Sequence, residues 1–216
     1  MIEVPVYSRD GKQTETLQID EQQLGGKVLS RLLKQAIVMY EANQRQGTVA
    51  KKSRSMVEGS TRKIYKQKHT GNARMGSVRS PIRRGGGRAF DQVPRDHSKD
   101  MPEKMRRLAR ANALLAKLVD QQVKIVDGLT FDAPKTKQFA QVLRALKLDG
   151  ATCCVATAKH DDALFRSGRN IPGMMITTVS QVNAYNLLRH RFILFTKEAF
   201  QAFAANPMNP AQPTVA

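Results

Sequence analysis

The sequence predicts an α/β fold: a mostly parallel sheet flanked by helices in three layers, with one long, extended basic loop inserted into it. Two observations carry this. From Val123 onward, short apolar runs that suit buried strands alternate with segments of helical periodicity. Between Arg45 and Lys99 the chain is strongly basic, rich in glycine and devoid of leucine, so it has little to contribute to a core.

The elements follow in order. Residues 2–7 and 14–19, joined by Asp10-Gly11, read as a hairpin added to the sheet. Over 27–44, Val28, Leu29, Leu32, Leu33, Ala36, Ile37 and Tyr40 recur at helical spacing, so one stripe faces a core. A second helix is expected from Pro102, which suits a first helical position. Its apolar residues Met105, Leu108, Leu115 and Val119 face inward, with Lys104, Arg106, Arg107 and Arg110 on the solvent side. Residues 123–126 form a short strand ending at Asp127-Gly128, and 135–147 a helix with Phe139, Val142, Leu143 and Leu146 on one face. Then come a strand at 151–156, a helix at 161–166, a strand at 174–179, a helix at 182–190 and a strand at 192–195. The last helix, 197–205, is started by Thr196. Such alternation is the pattern of a Rossmann-like topology. The stripe at 27–44 has nothing to pack on by itself, so 1–44 and 100–205 are expected to form one globular domain. Residues 45–99 are then an inserted arm. The tail 206–216, with Pro207, Pro210 and Pro213, is expected to be disordered.

Charge points to the partner. The 216 residues carry a formal net charge of +18. Fifteen basic residues between Arg45 and Lys99 face only Glu58, Asp91 and Asp96, a local net charge of +12. A polyanion is the partner such a segment calls for. No apolar run approaches the roughly 20 residues of a membrane span, and the N-terminus lacks the pattern of a secretory signal. A soluble cytoplasmic protein is expected. Cys153 and Cys154 are adjacent in an apolar run, which fits buried strand residues in a reducing compartment rather than a disulfide or zinc site.

The chain shows no convincing catalytic set. The segment from Gly71 to Ser77 approaches P-loop spacing but lacks its lysine, and Gly85-Gly86-Gly87 does not continue into a dinucleotide fingerprint. Asp127, Thr157, Ser180 and Thr196, at the carboxyl ends of the expected strands, form no acid/base or nucleophile set. His160-Asp161-Asp162 reads as a helix cap rather than a metal site. No cofactor and no metal are expected. The arm is more informative. Arginine forks match phosphate oxygens, and glycine allows close backbone approach. Aromatic residues are sparse there (Tyr65 and Phe90), so contacts mainly to phosphate and sugar are expected, reading RNA shape. A free-standing basic nucleic-acid-binding protein and an α/β enzyme with a regulatory arm remain alternatives on composition alone.

The run from Lys63 to Gly87, Lys-Ile-Tyr-Lys-Gln-Lys-His-Thr-Gly-Asn-Ala-Arg-Met-Gly-Ser-Val-Arg-Ser-Pro-Ile-Arg-Arg-Gly-Gly-Gly, closely resembles the signature of the ribosomal protein L-four family. The basic helix after Pro102, the strand ending Val126-Asp127 and the segment Gln181-Val182-Asn183-Ala184-Tyr185 also look like their counterparts there. The resemblance implies an α/β domain on large-subunit ribosomal RNA and an arm threading through that RNA. It implies a tip in the wall of the nascent-peptide exit tunnel, beside ribosomal protein L-twenty-two and the nascent chain. The tip maps onto Gln67, Lys68, His69, Thr70, Gly71, Asn72, Ala73 and Arg74. The candidate RNA-binding residues are Arg54, Arg62, Lys63, Lys66, Lys68, Arg74, Arg79, Arg83, Arg84, Arg88, Arg95, Lys104, Arg106 and Arg107. His69 and Asn72 depart from the family's usual Gly and Arg, and Asp91 from a frequent Gly. A positive φ at 69 would cost His more than Gly.

Overall fold

The computed structural model describes residues 1–131 and 133–207. Contacts divide the chain into two compact units, one made of Met1–Glu41 with the chain from Asp100 onward, the other of Ala42–Lys99.

The first unit holds strands β1 (Ile2–Tyr7), β2 (Gln13–Ile19), β3 (Val123–Val126), β4 (Cys153–Thr157), β5 (Met174–Thr178) and β6 (Phe192–Thr196). They form one sheet in the order β2-β1-β3-β6-β4-β5. Only the β1–β2 hairpin is antiparallel; every other neighbouring pair is parallel. The helices are α1 (Ser30–Asn43), α2 (Glu103–Val119), α3 (Thr136–Ala145), α4 (Asp162–Gly168), α5 (Ala184–Arg189) and α6 (Lys197–Ala205).

Side-chain alternation along the central strands builds two apolar layers. On β6, Ile193 and Phe195 join a core with residues of α1, α2, α5 and α6, whereas Leu194 joins a second core with Phe139, Leu143 and Leu164 of α3 and α4. On β4, Cys154 and Ala156 face the first core, Cys153 and Val155 the second. Both cysteines are free and buried, as expected. The expected three-layer α/β fold is therefore present.

Local chemistry sets the helix ends. Asp161 accepts hydrogen bonds from the Ala163 and Leu164 amides (2.9 and 3.3 Å), which is the expected cap of α4. Asn183 caps α5 through the Asn186 amide (2.8 Å), and Thr196 caps α6 through Ala199 (3.3 Å). Most other elements start or stop one to three residues from their sequence-based bounds; β1, β3 and α6 agree at both ends.

Two helices differ more. Helix α1 starts at Ser30, so Val28 and Leu29 precede it and lie exposed, while Met39, absent from the expected stripe, is buried. Pro102 has ψ 139° and stands just outside α2 rather than in its first turn. Leu115 is buried as expected, but Val119 is 59% exposed and Arg110 only 5%. The solvent-facing reading of Arg110 is thus corrected. The stretch from Ala109 to Leu115 is buried on every side, because α2 packs against α5 as well as β1. The Arg110 guanidinium lies over the Phe203 ring, 4.4 Å from its centroid, and donates to the Val179 carbonyl (2.6 Å). Burial pushes Arg110 down to about 10, which still leaves it a cation at neutral pH. Asn112, fully buried, accepts from the Leu29 amide (2.7 Å) and donates to the Lys27 carbonyl (2.6 Å), tying down the entry to α1.

Of the tail 206–216, only Asn206 and Pro207 are among the described residues; the expectation for 208–216 lies outside them. Among the described residues no helix is long and apolar enough to cross a membrane.

Candidate nucleic-acid interface

The second unit, Ala42–Lys99, is an antiparallel ribbon without a regular sheet. Its base is closed by one amide: Asn43 donates to the Lys99 carbonyl (3.2 Å) and accepts from the Lys99 amide (2.7 Å). Further out, successive backbone bonds join the outgoing and returning chains. Arg95 donates to Gly47 (3.1 Å), Lys51 to Gln92 (2.8 Å), Arg88 to Lys52 (3.0 Å) and Ile64 to Gly76 (3.2 Å). Lys63 and Ser77 form an isolated antiparallel bridge beside the last of these.

Gly87 explains how the two chains approach, and Gly86 how the returning chain turns tightly on itself. A β-carbon at Gly87 would lie 2.2 Å from the Arg54 nitrogen, and one at Gly86 2.0 Å from the Ser80 carbonyl oxygen. Neither position has room for any side chain. The turns Ser80–Arg83 (3.0 Å) and Arg83–Gly86 (3.0 Å) then leave Arg83 half-buried and Arg84 exposed.

At the far end, residues 67–74 form a loop whose every residue is exposed. Its neck is held by side chains. Tyr65 donates its hydroxyl to the Ala73 carbonyl, and the Lys63 ammonium donates to the Met75 carbonyl (2.9 Å) and to Gln67 (2.5 Å). His69 has φ 66° and Gly71 φ 70°. The left-handed conformation at 69 is thus present in this chain despite the imidazole, at a cost a glycine would avoid.

Twelve of the fifteen basic side chains in this unit are exposed, including Arg62, Lys66, Lys68, Arg74 and Arg95. Among the described residues none of the fifteen forms a salt bridge. Arg79 is half-buried, and its Nε has no hydrogen-bond partner among the described residues. The field is felt at His97, whose imidazole is held below its ordinary value by desolvation and then by Arg45 and Arg95. Lys104, Arg106 and Arg107 belong to the other unit, on the first turns of α2, where Arg107 pairs with Glu103.

The ribbon therefore brings together the arm residues singled out from the sequence. The exposed Lys52, Arg45 and Lys99 carry the same kind of charge and were missing from the candidate list. The local net charge was the signal that could have found them. At the other end of the chemistry, Thr157, Ser180 and Thr196 are occupied locally, with Thr177, Thr178 and the α6 cap respectively. No group of three or more His, Cys, Asp or Glu among the described residues is placed to hold a metal.

Sequence comparison finds relatives over most of the chain. A family model described as "Ribosomal protein L4/L1 family" matches residues 17–206. The chain is 41% identical over 199 residues to the "Large ribosomal subunit protein uL4" of Rhodopirellula baltica, covering 92% of this chain and 90% of that protein. It is 44% identical over 198 residues to the protein of the same name from Dehalococcoides mccartyi (92% and 94%). Against the one from Carboxydothermus hydrogenoformans it is 43% identical over 199 residues (92% and 96%).

Proposed function

The chain belongs to the ribosomal protein L4/L1 family, and from that premise we propose that it is a structural constituent of the large ribosomal subunit that binds large-subunit ribosomal RNA through its basic ribbon. In this reading 1–44 with 100–205 is a globular domain seated on RNA, and 45–99 is an arm embedded in it. The tip, 67–74, lines the nascent-peptide exit tunnel, with ribosomal protein L-twenty-two and the nascent chain as neighbours. The protein works in the cytoplasm, without catalysis, cofactor or membrane partner.

One observation carries the RNA reading: a ribbon of net charge +12 in which twelve of fifteen cations are exposed and, among the described residues, none is paired with an acid. Such a surface repels itself until phosphates neutralise it. Guanidinium forks at Arg54, Arg62, Arg74, Arg83, Arg84, Arg88 and Arg95 suit bidentate pairing with phosphate oxygens, and Lys63, Lys66 and Lys68 act as point charges. Lys104, Arg106 and Arg107 add a second set of cations on α2. Because phosphate contacts carry no sequence information, recognition rests on RNA shape.

The test is salt dependence together with co-sedimentation. If roughly eight cations meet phosphate, the log–log slope of affinity for large-subunit ribosomal RNA against salt is about −6 to −7. In a gradient the protein should travel stoichiometrically with large subunits. A slope near zero, or absence from the subunits, would overturn the reading.

A further inference from the structure

The ribbon contains one irregularity that the charge does not account for. Arg88 donates to the Lys52 carbonyl (3.0 Å), and Lys51 donates to the Gln92 carbonyl (2.8 Å). Between these two bonds the outgoing chain has no intervening residue, whereas the returning chain has three: Ala89, Phe90 and Asp91. The result is a bulge, a device that re-aims a side chain out of a ladder. Phe90 at its centre has φ 51° and is 100% exposed.

Each feature alone is weak. Isolated exposed apolar side chains are ordinary, and Ile82, 92% exposed with no positive φ, is such a case in the same unit. Phe90 combines two unfavourable states, a bulky side chain in the left-handed region and a ring wholly in water. Backbone outliers of this kind concentrate where a partner uses them. The surroundings specify the partner's chemistry: Lys51 and Lys52 stand directly across the ribbon, and Arg88 begins the bulge, with Asp91 the one acid in it. An aromatic face flanked by cations matches an unpaired nucleotide, with the ring stacked on the base and the cations on the adjoining phosphates.

We propose that Phe90 is a stacking anchor for an unpaired base of RNA, presented by the Ala89–Phe90–Asp91 bulge between Lys51, Lys52 and Arg88. This rests on the RNA-binding reading of the ribbon and deepens it, because the arm then reads an unstacked base at one point in addition to phosphate geometry. The expectation of contacts mainly to phosphate and sugar then admits one base contact.

The chain contains no tryptophan, so Phe90→Trp places a single fluorophore in the bulge. Full-length Phe90→Trp protein is titrated with a 12-nucleotide single-stranded RNA, with a 12-base-pair RNA duplex, and with transcribed large-subunit ribosomal RNA. The expected result is quenching and protection from acrylamide by the single strand and the ribosomal RNA, with neither effect from the duplex. Phe90→Leu should lose about tenfold in affinity for ribosomal RNA at an unchanged salt slope, the size expected of one base–aromatic stack. Ile82→Ala should stay within about twofold of wild type. Because Phe90 is fully exposed, the thermal melting of both variants should match wild type. Persistent acrylamide access in the saturated complex, equal quenching by the duplex, or wild-type affinity in Phe90→Leu would each overturn the anchor while leaving RNA binding intact. Wild-type protein without salt-dependent RNA binding would overturn both readings.

Discussion

Replacing Gly87 with Ala tests the ribbon itself. The new β-carbon would lie 2.2 Å from the Arg54 nitrogen, 2.4 Å from its Cα and 2.5 Å from the Ser53 carbonyl carbon, all backbone atoms, whereas ordinary contact starts near 3.4 Å. The two chains must therefore separate by about 1 Å, since backbone cannot swing away as a side chain can. That movement strains the Gly87–Arg79 and Arg88–Lys52 bonds, each 3.0 Å. At about 0.5–1.5 kcal/mol per bond, the local arrangement loses about 1–3 kcal/mol. If RNA binds the closed ribbon, affinity falls by a factor of roughly 5 to 150. Gly76→Ala supplies the control, because Gly76 has nothing within 4 Å of its would-be β-carbon and no positive φ. Filter binding of both variants to large-subunit ribosomal RNA, with circular-dichroism melting of the α/β unit as a folding check, reads the difference. Equal affinity for Gly87→Ala, Gly76→Ala and wild type would refute the close approach of the two chains.

Four further outcomes are expected. Asn112→Ala removes the partner of the Leu29 amide and the Lys27 carbonyl, so urea unfolding should show a loss of about 2–4 kcal/mol; a loss under about 1 kcal/mol would mean that water replaces the amide. Deleting residues 48–93 should leave cooperative melting of the α/β unit unchanged, because both apolar cores lie outside the deletion; a non-cooperative melt would show that the arm supports the core. Lys68→Glu, at the exposed tip, should enter large subunits normally, whereas Arg84→Glu beside the glycine run should be depleted from subunits by mass spectrometry; the reverse pattern would invert the assignment of tip and embedded strand. Burial pushes the Cys153 and Cys154 thiols up to about 12 from 9.0, so the folded state keeps both neutral where the unfolded state ionises. Their contribution is intact below pH 9 and declines between 9 and 12, by up to about 1.4 kcal/mol per pH unit for each thiol. Urea midpoints from pH 8 to 10.5 should fall less steeply for Cys153→Ala/Cys154→Ala than for wild type, and parallel curves would contradict the shift.

Much of this protein was legible in its residues because the physics involved is local. Helical spacing placed Phe139, Val142 and Leu143 on the buried face of α3, and Thr196 marked the start of α6, since periodicity and capping depend on neighbours within a turn. The arm stood out in the sequence for the opposite reason: without leucine and with a net charge of +12, it has no apolar core of its own, although its backbone still closes into a ribbon. The motif from Lys63 to Gly87 was specific enough to indicate the family that the later comparison matched. Other features depended on partners remote in the chain. Arg110 reads as a solvent-side cation until Val179 and Phe203 close over it, and Asn112 gains its role only from Lys27 and Leu29, more than eighty residues earlier. The insertion of β6 between β3 and β4 is a pairing of strands remote in the chain, which no single segment encodes. Gly86 and Gly87 announce that a side chain is forbidden, but not which backbone forbids it. The Phe90 bulge is a matter of register between two chains, and register is decided where both are present.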